Sequence, residues 1–314
     1  MKIVLAPILF LLITITISAF VAYKADRNER QAVRQFLPEG GRALMIGGVQ
    51  VHAVEMGAGP DLVLIHGSSG NTRDFTFSLA EKLAQRYRVI VFDRPGHGYT
   101  HRINETGATI RQQADLLATA ARQMGAEKPI VLGHSYGGAV ALAWAVNHPD
   151  ALAGLVLVGA PSQPWTTPLD RHYRLLSHPV IGPPLATLIT AFVGNARVEQ
   201  ALEGIFAPNP VPEGYAEHVG PGLTLRRSSQ LANARQRANL LAEITALQPL
   251  YSQITVPVEI VHGAADTTVG LKIHAEPLAR QIPQARLTRL EGIGHMPHHV
   301  APQEVIAAIA RATP

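Results

Sequence analysis

The chain has 314 residues, of which 47% are hydrophobic and 16% charged. This composition supports a large buried core and argues against global disorder, and the length allows one large α/β domain with an insertion or two small domains. The net charge is +4 and dense basic runs with interleaved aromatic residues are absent, so nucleic-acid binding has little support and we expect no nucleic-acid partner. The chain has no cysteine, which excludes disulfides, thiolate metal ligands and a cysteine nucleophile.

The chain begins with an apolar segment, residues 3–23, that carries no charge. As a helix it is roughly 30 Å long, which matches the hydrocarbon thickness of a bilayer. A cleaved signal peptide has a shorter apolar region and a cleavage site of the form small-x-small. In this segment only Thr16-x-Ser18 weakly resembles such a site. We therefore expect an uncleaved transmembrane anchor in residues 1–23, with cleavage as the alternative.

Basic residues follow this segment at positions 24, 27, 30 and 34, whereas only Lys2 and the amino terminus precede it. The positive-inside rule then favours a cytoplasmic location for the rest of the chain. The short amino-terminal tail weakens that inference, so the side of the membrane stays undetermined. Residues 24–43 have the composition of a polar connector, helical or flexible, that ends at "PEGG".

Strand and helix patterns alternate over most of the remaining chain. "ALMI" and "VQVHAVE" flank Gly47-Gly48, which predicts a hairpin. Short apolar runs that end in turn residues then alternate with helical patterns, which predicts a doubly wound, mostly parallel α/β sheet with its functional loops at the strand C-termini. The strand runs lie at 61–67, 88–98, 129–135, 152–161 and 257–266, and the helical patterns at about 75–86, 109–124, 136–147, 271–281 and 302–312.

Residues 162–250 break this alternation. They contain no convincing strand signal, and their helical stretches are joined by Pro-rich segments such as "GPP" and "PNPVP". A helical insertion at the C-terminal edge of the sheet would form a cap. The predicted organisation is therefore an anchor (1–23), a connector (24–43), an α/β core (44–161 and 251–314) and a helical cap (162–250).

Ser135 lies in the stretch Gly133-His134-Ser135-Tyr136-Gly137, between a predicted strand and a predicted helix. Such a sharp turn needs glycine two residues before and after the serine, and it raises the hydroxyl above the sheet. An incidental serine in a glycine-rich turn is the alternative. We expect Ser135 to be a nucleophile, which requires a base.

The chain order serine, acid, histidine points to partners near the carboxyl end. His295 follows the last strand signal and is the expected base, whereas His298 and His299 are rivals that we expect to face solvent or to pack locally. Asp266 follows the strand before it and is the expected acid, although a turn aspartate is common at such a position. The preceding strand ends in Gly159-Ala160-Pro161, which offers no carboxylate.

An acyl-transfer intermediate also needs two backbone N–H donors for its oxyanion. We expect one from Tyr136, the residue after the serine. The other should come from the loop "HGSSGN", where Ser68 is our choice and Ser69 its rival. His66 is expected to brace this loop.

These motifs together resemble the α/β-hydrolase superfamily in its capped branch, which includes esterases, lipases, carbon–carbon bond hydrolases, epoxide hydrolases, haloalkane dehalogenases and haloperoxidases. The resemblance covers about residues 45–312 and implies the roles given above for Ser135, Asp266, His295, Ser68 and Tyr136. It also implies that residues 93–98 form a structural loop. The chain departs from it at Val300, where relatives often carry an acidic residue. The matching stretches are "LIHGSSG", "FDRPGHG", "GHSYGG", "HGAADTTV" and "GIGHMPHHVAP".

The expected function is therefore that of a serine hydrolase acting on a small, apolar carboxylic ester or related acyl substrate, without a metal or an organic cofactor. Ser135 argues against epoxide hydrolases and haloalkane dehalogenases, which use an aspartate there. The alternatives are a carbon–carbon bond hydrolase, with Arg226 and Arg227 as candidate cap residues, a haloperoxidase-like perhydrolase, and a non-catalytic membrane-tethered binding protein. The oligomeric state stays undetermined.

Overall fold

A computed structural model describes residues 2–37 and 40–313, with the backbone alone described for residues 2–6 and 195. The predicted end of the connector at "PEGG" therefore falls partly on residues 38 and 39, outside the described residues. One eight-stranded sheet has the order β1-β2-β4-β3-β5-β6-β7-β8. Strand β2 is antiparallel to both of its neighbours, β1 and β4, and all pairs among β3 to β8 are parallel. The strands are β1 Gly41–Ile46, β2 Val49–Met56, β3 Asp61–Ile65, β4 Arg88–Phe92, β5 Ile130–His134, β6 Gly154–Val158, β7 Val258–Gly263 and β8 Ala285–Leu290.

Helices connect successive strands in the sequence, and they pack on both faces of this sheet. The predicted doubly wound fold is confirmed, and the Gly47-Gly48 turn joins β1 and β2 with positive φ at both glycines. The helices are α1 Lys2–Gln35, α2 Arg73–Thr76, α3 Leu79–Leu83, α4 Ile110–Gln123, α5 Tyr136–Asn147, α6 Arg171–Ser177, α7 Gly182–Phe192, α8 Asn195–Phe206, α9 Tyr215–His218, α10 Pro221–Thr224, α11 Arg227–Leu247, α12 Ala275–Gln281, α13 Pro297–Val300 and α14 Pro302–Ala312.

The parallel strands are buried on both faces, which is why they read as continuous apolar runs. Along β3, Val63 and Ile65 pack into the layer formed by α4, α5 and α12, whereas Leu62 and Leu64 pack into the layer formed by α3 and α14. Successive side chains of a strand point to opposite faces, so one short run contributes to both cores.

Two of the predicted helices differ from the structure. The pattern near 75–86 is divided into α2 and α3, because Ser78 leaves the helical region with φ −159°. The pattern at 271–281 begins as a helix only at Ala275. In both segments the apolar residues have helical spacing, but part of the backbone forms turns instead of a continuous α-helix.

Residues 162–250, which we continue to call the cap, lie between β6 and β7, and they contain α6 to α11 and no strand. Its longest helix, α11, packs against α6 and α7. A small apolar core of Leu176, Ala186, Leu231 and Ala234 holds these three helices together.

The amino-terminal helix α1 runs without interruption from Lys2 to Gln35, so the predicted connector is helical over most of its length. The helix is long and apolar enough to cross a membrane. Its most apolar stretch of 18 residues has a mean hydropathy of 2.1, and only 6% of that stretch is buried against the rest of the protein. Its second half packs against α7 and α10 of the cap, where Ala25 and Ala32 are buried. Asn28 donates to the carbonyl oxygen of Thr190 at 2.9 Å.

Candidate active site

Ser135 sits at the sharp turn between β5 and α5, with φ 51° and ψ −123°. This conformation is costly for a residue with a side chain, and the fold must hold it in place. The Ser135 N–H donates to the carbonyl oxygen of Val158 at 2.9 Å. A Cβ at Gly133 would lie 2.2 Å from the Gly137 oxygen, and a Cβ at Gly137 would lie 2.2 Å from the Ile65 oxygen. Both glycines are therefore required by close backbone approach.

The three side chains predicted to form a triad lie next to one another. His295 Nδ1 is 2.7 Å from Asp266 Oδ2, and His295 Nε2 is 2.9 Å from Ser135 Oγ. A carboxylate only accepts, so Nδ1 carries the proton and Nε2 presents its lone pair to the hydroxyl. The geometry suits proton transfer from serine to histidine.

Asp266 follows β7 and is held in its turn by two backbone donors. The N–H groups of Thr268 and Val269 each donate to its Oδ1 at 2.8 Å, so it also stabilises the turn, as the alternative interpretation expected. Burial alone would raise the pKa of Asp266, but the hydrogen bonds of His262 and His295 and the charge of His295 outweigh burial and hold this pKa well below its usual range. The carboxylate is thus charged at neutral pH.

The loop after β3 contains Ser68 and Ser69, the two candidates for the second oxyanion donor. The N–H of Ser69 donates to Asn233 Oδ1 at 3.0 Å, and Asn233 Nδ2 donates to Ser69 Oγ at 2.9 Å. Because the Ser69 amide is already engaged, the geometry favours Ser68 over its rival. Tyr136 begins α5, where backbone N–H groups have no partner within the helix.

Arg94 is fully buried beneath this loop and fixes its position. Its guanidinium donates to the carbonyl oxygens of His66 at 2.9 Å and Gly67 at 3.0 Å. The backbone N–H of Arg94 donates to His66 Nε2 at 3.0 Å. Burial lowers the pKa of Arg94 to about 10, so it stays charged at neutral pH. Residues 93–98 therefore brace the loop, as the resemblance implied, and His66 is part of that brace.

His298 and His299 do not face solvent, contrary to one of our two expectations. Both donate from Nε2 to Asp74 Oδ1, at 3.3 and 2.9 Å, and the Tyr215 hydroxyl donates to the same oxygen at 2.7 Å. Burial raises the pKa of Asp74, yet the two imidazoles outweigh it and hold this pKa well below its usual range. The error arose because Asp74 is more than two hundred residues away in the chain.

This Asp74 cluster has the donor types of a metal site, with three ligand atoms within 4.8 Å of one another. The His298 and His299 nitrogens, however, already donate directly to the carboxylate oxygen. A hydrogen-bonded cluster accounts for the arrangement. It also contacts His134, whose ring centre lies 4.2 Å from that of His298, with the two ring planes tilted by 50°.

A cavity of about 620 Å³ lies between the elbow and the cap. Ser135 and His295 lie at its base, beside Ser68. Most of its wall is apolar and comes from the cap, including Leu176, Ile189, Val193, Leu202, Ile205 and Val219.

Arg226 and Arg227, the candidate cap residues of the carbon–carbon hydrolase alternative, do not line this cavity. Arg226 stacks on Tyr99, and Arg227 pairs with Glu29 at 2.8 Å on α1. The cavity instead contains Arg237, whose Nη1 is 3.3 Å from Ser68 Oγ. Nothing in the sequence distinguished Arg237 from other basic residues of α11.

Asn233 and Asp74 also escaped sequence analysis, because their partners lie far away in the chain. Asn233 was one polar residue among many in a predicted cap helix. Asp74 followed the recognised loop "HGSSGN" closely, so a buried carboxylate near that loop was the one signal that could have identified it.

Comparisons with known proteins agree with this geometry. A sequence profile described as alpha/beta hydrolase fold matches residues 60–302. The chain is 31% identical over 268 residues to a pimeloyl-[acyl-carrier protein] methyl ester esterase from Aromatoleum aromaticum, covering 80% of this chain and 96% of that protein.

Two solved structures have the same fold. An esterase from Thermogutta terrifontis aligns with a TM-score of 0.69 and 23% identity, covering 86% of this chain and 96% of that one. A membrane phospholipase A aligns with a TM-score of 0.65 and 19% identity, covering 99% of both chains, so the likeness extends over α1. The chain is therefore a hydrolase that belongs to the alpha/beta hydrolase fold family.

Proposed function

We propose that this enzyme is a serine esterase that cleaves carboxylic esters through a Ser135–His295–Asp266 triad. The observation that carries the proposal is the pair of hydrogen bonds to His295, at 2.7 and 2.9 Å, which leave Nε2 facing the hydroxyl. Such an arrangement activates a serine that is otherwise a weak nucleophile.

In the first half-reaction, Ser135 Oγ attacks the ester carbonyl carbon while His295 Nε2 takes the hydroxyl proton. The backbone N–H groups of Ser68 and Tyr136 donate to the oxyanion that forms. The intermediate collapses, the bond to the alcohol breaks, and His295 returns the proton to the leaving oxygen. Asp266 stabilises the imidazolium throughout.

In the second half-reaction, His295 takes a proton from water, and the resulting hydroxide attacks the acyl carbon. Collapse of this second intermediate releases the carboxylic acid and returns the proton to Ser135. No metal or organic cofactor takes part in the proposed sequence.

The proposed substrate is a small ester with an apolar acyl or alcohol part. The apolar wall of the cavity supports this choice, and a volume of about 620 Å³ suits a chain of several carbons. The esterase relative, whose name specifies a methyl ester, supports ester cleavage. We further propose that α1 anchors the enzyme in a membrane, for which its apolar exposed surface and the likeness to a membrane phospholipase A give support.

A panel of p-nitrophenyl esters from acetate to palmitate tests the proposal on the full chain in detergent. We expect hydrolysis that varies with acyl length and disappears in Ser135→Ala. Exposed Ser252→Ala, which lies outside the cavity, is the matched control and should keep wild-type rates.

The alternatives that share the triad give different results in the same assay. A carbon–carbon bond hydrolase would prefer a ring-fission dienone over every ester, and a perhydrolase would need peroxide. Absence of ester hydrolysis at every chain length would refute the esterase proposal.

A further inference from the structure

Helix α7 and the turn before it present an unusual apolar surface to solvent. Val180 is 74% exposed, Ile181 45%, Leu188 47% and Phe192 54%, and we refer to these four residues as the outer α7 patch. Leu188 and Phe192 are one helical turn apart and therefore share a face. Elsewhere in the described residues beyond α1, exposed large apolar side chains are scattered singly, which is normal for a protein surface.

The patch lies at the point where the apolar part of α1 ends. Lys24 is the first charged residue after the apolar segment, and its ammonium group lies 4.3 Å from the centre of the Phe192 ring. One turn further along α1, Asn28 donates to the carbonyl oxygen of Thr190. The carboxyl end of α7 is thus fixed at the level at which α1 would leave the hydrocarbon of a membrane.

Charges next to the patch suit a phospholipid surface. Arg27, Arg30 and Arg34 are exposed on α1 in the turns that follow Lys24. Basic side chains at this position lie among anionic headgroups, while neighbouring aromatic and aliphatic side chains reach into the interface. The chain bends by 117° between α6 and α7, so these two helices do not form one straight membrane span.

The same helix also borders the active-site cavity. Ile189 and Val193, the residue that follows α7, line the cavity and directly follow Leu188 and Phe192 of the patch in the sequence. Successive helical residues point about 100° apart, so the cavity wall and the patch are adjacent faces of α7. The exposed residues Arg197 and Ala201 also line the cavity, which places an opening beside the carboxyl end of α7.

We infer that the outer α7 patch rests in the interfacial layer of the bilayer that α1 spans, and that the cavity therefore opens at the membrane surface, toward esters dissolved in the bilayer. This contact between the outer α7 patch and the bilayer requires the proposed anchoring by α1, but it does not require that the enzyme hydrolyses esters. It makes the cap a second membrane attachment, continuous with α1.

Single cysteines carrying the environment-sensitive fluorophore NBD test this contact, because the natural chain has no cysteine. The variants are Leu188→Cys and Phe192→Cys, with Ile13→Cys as the control within α1. Ile273→Cys is the matched water-facing control, since Ile273 is 48% exposed on the α/β core. Each full-length protein is reconstituted into vesicles of phosphatidylcholine and phosphatidylglycerol with or without a doxyl-labelled quencher lipid.

We expect blue-shifted emission and quenching at positions 188 and 192 as well as at 13, and neither effect at 273. Quenching at 13 with water-like emission at 188 and 192 would overturn the inference and leave the anchor intact. Water-like emission at all four positions would overturn both. Hydrolysis of a soluble p-nitrophenyl ester by the same labelled proteins reports separately on the proposed function.

Discussion

His134 Nε2 lies 3.0 Å from the carbonyl oxygen of His295, and since a carbonyl only accepts, the imidazole of His134 is the donor. This bond joins the residue before the proposed nucleophile, Ser135, to the backbone of the proposed base, His295. Burial holds the pKa of His134 well below its usual range, so the ring stays neutral and keeps its role as a single donor. The elbow and the last loop are thereby fixed relative to each other.

The carboxylate of Asp266 should contribute to the chemical step more than to stability. In Asp266→Asn the side-chain amide can donate to Nδ1 and so favour the wrong tautomer of His295, which leaves no lone pair facing Ser135. We expect kcat to fall by about three to four orders of magnitude, as for other triads of this type. Steady-state ester kinetics measure the effect, and exposed Asp150→Asn is the control. A kcat within tenfold of the wild type would contradict the assigned role.

The contact between Asn233 and Ser69 should position the oxyanion loop from the cap. Asn233→Ala removes the acceptor of the Ser69 N–H. Ser69 has φ 57°, which is unfavourable for serine, so without this bond its backbone can relax to another conformation. We expect kcat to fall roughly tenfold to hundredfold, with a smaller change in KM, because the loss concerns the transition state. Asn233→Asp retains the acceptor and should restore part of the rate. Equal rates in both variants would argue against positioning by this bond.

The Asp74 cluster should contribute strongly to stability. Asp74→Asn leaves three buried donors around a neutral amide, and we expect the free energy of unfolding to fall by about 2–4 kcal/mol. Tyr215→Phe removes one donor and should cost only about 1 kcal/mol. Chemical denaturation of the full chain in detergent gives both values. If Tyr215→Phe destabilised the protein as much as Asp74→Asn, the carboxylate would not be the centre of the cluster.

Acid should destabilise the fold at a pH set by buried imidazoles. Burial lowers the pKa of His66 and of His298 to about 4 from a usual value of 6.5. Between these values the unfolded chain takes up protons that the folded chain does not, so stability is full above about pH 6.5 and falls as the pH drops toward 4. The expected loss is roughly 3 kcal/mol per group.

Urea denaturation between pH 8 and pH 4.5 measures this dependence. His298→Asn should reduce the slope of stability against pH, whereas replacement of exposed His101 by Asn should not. A slope unchanged by His298→Asn would show that the acid sensitivity arises elsewhere.

Local signals account for what the sequence could predict. The parallel strands were recognisable because burial on both faces produces continuous apolar runs. The elbow was recognisable because Gly133 and Gly137 are imposed by backbone contacts within a short stretch. The partners of the proposed triad could be selected because the order of strands limits where a histidine and an acid can follow them.

Long-range pairings account for what the sequence could not predict. The docking of α1 on the cap depends on Arg227 meeting Glu29, 198 residues earlier in the chain. The burial of His299 depends on Asp74, 225 residues away. Composition suggested solvent exposure or flexibility for both segments, and the tertiary fold overrode it.

Covalent labelling with a fluorophosphonate, followed by intact-mass and peptide analysis of the full chain, tests the proposed role of Ser135 most directly. The account predicts one phosphonyl group per chain, attached to Ser135, lost in Ser135→Ala and strongly slowed in His295→Ala. Unchanged labelling of Ser135→Ala, or no labelling of the wild-type protein that hydrolyses esters, would contradict it.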